Sequence, residues 1–244
     1  MAAGEVKAEH LYKPYSAVRS AQVGRVRSDE TLPEVVDGDG AEARLFTAAI
    51  LTGNHVAARR ALHAALGTGL DHIYERIVAP ALDEVGRRWY QNRITVADEH
   101  LATAVAQAAV ASLYPLIPWP AGGPRAVVGC AELELHTFGA RMVADLLALD
   151  GWQTTFTSGG ISLARGLEDA GRGAVKLVAV SITLGRHVPE ARALIQRVRE
   201  DAPGAKILVG GRAVAAQPDA AELLGADAVA TSASLAVKVA RAWR

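Results

Sequence analysis

In a chain of 244 residues, the group best suited to chemistry is Glu134-Leu135-His136-Thr137-Phe138-Gly139. A histidine on a loop presents one ring nitrogen outward. A carboxylate two residues earlier accepts the N–H of the other nitrogen and fixes the tautomer. That pattern suits ligation of a metal by His136, with Glu134 as its orienting partner. Gly139 removes a side chain where a bulky ligand must pass the backbone, and Gly210-Gly211 does the same deeper in the chain. Ser181, Thr183 and Thr231 add hydroxyls at three further points. A second group lies upstream, where Trp89 is followed after nine residues by Glu99-His100. Only four tryptophans are present, so each has positional meaning. The sole cysteine, Cys130, excludes an internal disulfide and a zinc centre of the usual thiolate kind.

These residues need elements to position them. Residues 1–38 carry scattered charge and no sustained apolar period, which favours a flexible arm over a short helix packed on the first domain. Residues 39–116 read as four helices. Ala41 to Leu51 and His55 to Leu66 are the first two. A third stripe runs through Leu70, Ile73, Ile77, Val78, Leu82 and Val85, with Pro80 expected to kink it. Thr95 caps the fourth, and Asp98 three residues on makes an imperfect capping box. Short connections predict an antiparallel bundle. Residues 117–124 are a Pro- and Gly-rich linker.

Residues 125–244 alternate strand and helix. Strands are expected at Arg125 to Leu133, Trp152 to Thr157, Val175 to Ile182, Lys206 to Val209 and Asp227 to Ala230. Helices are expected at Phe138 to Leu149, Ile161 to Ala170, Pro189 to Glu200, Pro218 to Leu224 and Ser232 to Arg244. The fold class is therefore α/β with an all-α cap, in which a four-helix bundle precedes a flavodoxin-like, Rossmann-like sheet of five parallel strands. The expected strand order is 2-1-3-4-5. In that order the carboxyl ends of strands 1, 3 and 4 are neighbours, so His136, the Ser181/Thr183 pair and the two glycines converge at one edge.

Two other occupants of this topology fit poorly. A phospho-receiver needs an aspartate at the end of strand 3, where Ser181 stands, and a lysine after strand 5, where Thr231 stands. A flavin mononucleotide site wants a small, polar phosphate loop after strand 1, but Leu135, His136 and Phe138 occupy it. Lys plus Arg and Asp plus Glu each total 26, and this balance argues against nucleic-acid binding by bulk charge. A secretory signal and a membrane span are absent from the pattern, so a cytoplasmic location is expected.

The motif resembles that of the cobalamin-binding domain family: an acidic residue, any residue, His, two residues and Gly, followed by a Ser and a Gly-Gly pair. Glu134 stands where Asp is usual. The resemblance implies cobalamin bound base-off, with His136 as the lower cobalt ligand. It implies a nucleotide tail threading past Ser181, Gly210 and Gly211, with Thr137, Phe138, Gly139, Thr183 and Thr231 alongside. The helical half is similar to the cap of light-sensing cobalamin proteins of the CarH type. That likeness implies adenosylcobalamin, with Trp89 over the upper corrin face and Glu99-His100 lining the same pocket. Tyr90 replaces the histidine that follows the Trp in those proteins, which leaves the upper ligand open, with His100 as a substitute. About 40 residues precede the bundle, too few for a helix-turn-helix module, so direct DNA binding is not expected.

Stand-alone chains of this plan also resemble photocobilins. Cys130 lies on a predicted buried strand, so a bilin such as biliverdin would be held non-covalently. The function implied is a non-enzymatic light sensor that forms a homo-oligomer, a dimer, and acts on a downstream regulatory protein. A corrinoid methyl carrier of a methyltransferase system is the alternative, and a cobalamin-storage module is a third.

Overall fold

The computed structural model describes residues 40–157, 163–215, 217 and 219–244. The arm expected over residues 1–38 lies outside them, as do Ile161 and Pro218, where two helices were expected to begin. All described residues belong to one compact unit.

The chain opens with α1 (Ala41–Leu51) and α2 (His55–Ala64). The Asn54 side chain caps α2 by accepting the N–H of Ala57 at 3.0 Å. Helix α3 (Leu70–His72) runs without a break into a π-helical turn, Ile73–Val78, and then into α4 (Ala79–Tyr90). Pro80, where a kink was expected, lies just after this widened turn. A proline lacks the N–H for the helical ladder and crowds the carbonyl four residues back, here Arg76, and a π turn accommodates both. Helix α5 (Val96–Ala111) starts with a complete capping box. The Thr95 hydroxyl accepts from Asp98 N–H at 3.2 Å, and Asp98 accepts from Thr95 N–H at 2.9 Å. Helix α1 packs against α2, α4 and α5.

Residues 117–124 contain no helix or strand. The sheet follows with β1 (Arg125–Cys130), β2 (Gln153–Phe156), β3 (Val175–Ser181), β4 (Lys206–Gly210) and β5 (Ala228–Ala230). All neighbours pair in parallel in the order β2-β1-β3-β4-β5, as the sequence predicted. Strand β1 stops at Cys130 rather than Leu133, because Leu133 turns the chain with a left-handed φ of 66°. The connecting helices are α6 (Phe138–Leu149), α7 (Leu163–Ala170), α8 (Val188–Asp201), α9 (Arg212–Ala215), α10 (Ala220–Leu224) and α11 (Ala233–Arg241). The expectation of five helices omitted α9, a single turn too short to show a period.

The core has two parts. One joins Phe46, Ile50, Leu62, Ile73, Tyr74 and Leu113 of the helical half to Val128, Leu147, Leu177 and Leu208 of the sheet half. The other lies under α7 and α8 and includes Leu167, Val178, Ile195 and Ile207. Bundle and sheet thus bury apolar surface against each other, at about 25 cal/mol per Å² removed from water. Among the described residues no helix is long and apolar enough to cross a membrane.

Candidate functional site

The loop leaving β1 turns tightly, with Glu134 N–H donating to the Ala131 carbonyl at 3.1 Å. This drives the Glu134 side chain inward until none of it is exposed. Such a burial costs several kcal/mol unless the charge is answered. Oε1 accepts from His136 N–H at 3.0 Å and lies 2.5 Å from His136 Nδ1. Oε2 accepts from the N–H groups of Thr183 and Leu184, each at 3.1 Å. Burial pushes the carboxyl pKa up, but hydrogen bonds from the His136 backbone and ring and from Leu184 hold it below the ordinary glutamate value. An ionised Glu134 makes Nδ1 the protonated nitrogen. Nε2 is then the nitrogen with a free lone pair, on a side chain that is 54% exposed. A ligating imidazole needs these features. Thr183 contributes here through its backbone N–H, not through the hydroxyl the sequence reading singled out.

A cavity of about 430 Å³ opens between the carboxyl ends of the strands and the helices α6 and α11. Five of the expected residues line it: Gly139, Ser181, Gly210, Gly211 and Thr231. The glycines serve different needs. A Cβ on Gly210 would sit 2.7 Å from the Ala230 carbonyl oxygen, and one on Gly211 would sit 2.7 Å from the Ile182 carbonyl carbon. Gly211 also has φ 96°. The protein's own backbone therefore demands both, in addition to any ligand. Gly139 has no such constraint, since a Cβ there would meet nothing within 4 Å. Glycine inside a helix costs about 0.5–1 kcal/mol relative to alanine. Gly139 accepts that cost beside open space on the cavity wall, where a bound group can pass.

Other expected residues lie outside this cavity. Phe138 is buried in the core at the first turn of α6 and does not line it. Apolar surface at a helix start packs into the nearest core, which here is shared with the bundle. Thr137 precedes α6 but makes no side-chain cap. Trp89, at the end of α4, is 48% exposed, and the following Tyr90 is 83% exposed. His100 Nδ1 lies 2.5 Å from Glu99 Oε2, and Glu99 Oε1 accepts from the Thr103 hydroxyl at 3.0 Å. Neither Trp89 nor the Glu99-His100 pair lines the cavity.

The sequence reading missed a polar junction. Asp145 on α6 accepts from the hydroxyls of Tyr74 at 2.6 Å and Tyr114 at 2.7 Å, and from Arg141 at 2.9 Å. Burial, reinforced by the Asp145 charge, pushes the Tyr74 hydroxyl well above the phenol range and the Tyr114 hydroxyl up to about 12. Tyr74, Glu75, Arg76 and Ala79 bring the helical half to the cavity. Cys130, beside the loop, has its thiol pushed up to about 12, by burial first and the Glu134 charge second.

Among the described residues, no three His, Cys, Asp or Glu side chains gather into a metal cage. A lone, oriented imidazole suits a metal that brings its own equatorial ligands. The adjoining cavity, with Gly139 open on its wall, has room for an appendage of such a group. These residues fit a corrinoid.

Comparison with known proteins agrees. Models described as B12 binding domain match residues 42–114 and residues 124–240. The chain is 31% identical over 146 residues to the HTH-type transcriptional repressor CarH of Myxococcus xanthus, covering 57% of this chain and 47% of CarH. It thus spans about half of that relative. It is 26% identical over 174 residues to the dimethylamine corrinoid protein of Methanosarcina barkeri, covering 69% of this chain and 81% of the relative. The monomethylamine corrinoid protein of the same organism superposes with a TM-score of 0.68 at 23% identity, over 80% of this chain and 94% of that one, which shows the shared fold. With its helical and α/β halves each matched, this chain belongs to the B12-binding-domain family and is a cobalamin-binding protein.

Proposed function

We propose that the protein is a light-responsive cobalamin sensor and not an enzyme. Its cofactor on this reading is adenosylcobalamin, held base-off with His136 as the lower cobalt ligand. The observation that supports the cobalamin attachment is the Glu134–His136 pair, in which a buried carboxylate leaves Nε2 as the ligating nitrogen; the sensor role rests on the likeness to CarH. Bound adenosylcobalamin supplies a cobalt–carbon bond that visible light breaks. His136 holds the metal, Glu134 holds the imidazole tautomer, and Ser181, Gly210, Gly211 and Thr231 wall the cavity assigned to the nucleotide tail. Trp89 and Glu99-His100 are assigned to the adenosyl side. An indole that is 48% exposed at a helix end has apolar surface to give to a bound group. The 31% identity to CarH supports the same assignment.

With adenosylcobalamin bound, Trp89 and the Glu99-His100 pair would pack on its upper group; light would withdraw that packing partner from the helical half, and the chain would then change its self-association or its contact with a downstream regulatory protein. A dimer is the assembly proposed. A bilin, where one takes part, is held non-covalently, because the partly buried Cys130 has a thiol pushed to about 12 and is a poor nucleophile.

The second reading is a corrinoid methyl carrier. Its support is coverage, because the chain spans 81% of the dimethylamine corrinoid protein. Size-exclusion chromatography of the adenosylcobalamin complex, in darkness and after green light, separates the two. The sensor gives a shift in elution volume after light, reproduced in darkness by hydroxocobalamin. Identical elution in all three states, with methyl transfer from methylcobalamin to a partner methyltransferase, would establish the carrier instead.

A further inference from the structure

The π-helical turn Ile73–Val78 is an unusual element at a particular place. Two successive residues of it reach different helices of the sheet half. The Tyr74 hydroxyl donates to Asp145 on α6 at 2.6 Å. The Glu75 carboxylate accepts the N–H of Ser234, in the first turn of α11, at 2.8 Å. Helices α6 and α11 are the two that flank the cavity, and Tyr74, Glu75 and Arg76 themselves line it. Neighbouring residues on a helical turn point in well-separated directions, which suits one turn to two separate anchors. Glu75 also lies where a carboxylate is favoured, at the positive end of α11.

The geometry points to this turn as a selectivity element: Tyr74 and Glu75 fix one wall of the cavity, so that the protein favours corrinoids carrying a complete lower nucleotide over those lacking one. The inference rests on the assignment of the cavity to the nucleotide tail. Its physical basis is preorganisation. A wall tied at both sides has little freedom left to lose when the tail arrives, and a wall freed from one anchor must be ordered by the ligand at a cost in affinity. Glu75 stays ionised at neutral pH. Burial raises its pKa, but the bonds from Ser234 and Ser232 and the Arg76 charge lower it by more. Both residues are positioning residues, since they act through the wall they hold.

The test compares two probes, hydroxocobalamin, which carries the nucleotide, and diaquacobinamide, which lacks it. Each is titrated by absorbance into the unaltered chain, Glu75→Ala, Glu75→Gln and Tyr74→Phe, with circular dichroism confirming the fold. Glu75→Ala is expected to weaken hydroxocobalamin binding about tenfold, equivalent to about 1.4 kcal/mol, and to leave diaquacobinamide binding unchanged. Glu75→Gln restores most of the loss, because its amide oxygen still accepts from Ser234. Tyr74→Phe keeps the buried ring and lowers the same preference, which serves where Glu75→Ala does not fold. Equal weakening of both probes, or of neither, would overturn the inference while leaving the cavity assignment intact. Equal affinity of the unaltered chain for both probes would overturn the cavity assignment and the inference with it.

Discussion

At Glu134 a carboxylate with no exposed side-chain surface is stable because each oxygen accepts two donors. Replacement by glutamine would put an NH2 group where one of those pairs donates, leaving buried N–H groups facing each other. Orienting partners of this kind typically contribute about 10–100-fold to metal affinity. Glu134→Gln is therefore expected to weaken cobalamin binding by about that factor in an absorbance titration, and unchanged affinity would mean that the carboxylate does not orient His136. The pairing was legible in the sequence because both partners sit within one short loop. The anchors on its other oxygen were not, since Thr183 and Leu184 lie some fifty positions away and contribute only backbone N–H groups. Gly210 and Gly211 were also half legible. Their importance showed, but the cause includes crowding by the Ile182 and Ala230 backbones, which no local pattern encodes.

At the scale of elements, local chemistry set most boundaries. Thr95 and Asp98 start α5, Asn54 starts α2, and Pro80 marks the π turn. Strand β5 is shorter than the sequence suggested because Asp227 spends itself on a clamp. Its N–H donates to the Ile207 carbonyl at 2.8 Å, and its side chain accepts from Ile207 N–H at 2.7 Å, Arg199 at 2.7 Å and Lys206 at 3.0 Å. Burial raises the Asp227 pKa, but these bonds and the Arg199 charge bring it below the ordinary aspartate value. With a depressed folded-state pKa, the clamp stabilises the fold fully above the unfolded aspartate value of about 4, and that contribution is lost as pH falls through the lower folded value. Asp227→Asn is expected to cost about 1–2 kcal/mol at neutral pH, and less in acid. Urea unfolding at neutral pH and at about pH 3 measures this, and an equal cost at both would show that the charge contributes nothing.

At the scale of the molecule, the two halves match separate B12-binding models, yet they are not separate bodies in the described structure. One core runs through both, and the Tyr74/Tyr114–Asp145 junction, the Glu75 cap on α11 and the Asp83–Arg212 ion pair tie them. The proline-rich segment at 117–124 made each half legible by composition. Their junction was hidden, because Tyr74 and Asp145, or Glu75 and Ser234, are brought together only by the finished fold. The sheet order was predictable from the alternation of strands and helices alone. A cofactor held by both halves would report to each, with His136 as its proposed point of attachment. Electron paramagnetic resonance of the chain loaded with cob(II)alamin tests this attachment directly, using protein grown on nitrogen-15 histidine and unlabelled cofactor. Ligation by His136 changes the nitrogen splitting from a triplet to a doublet on labelling, and His136→Ala abolishes that change. A triplet that persists in the labelled protein would place the cofactor's own base on cobalt and contradict the assignment of His136.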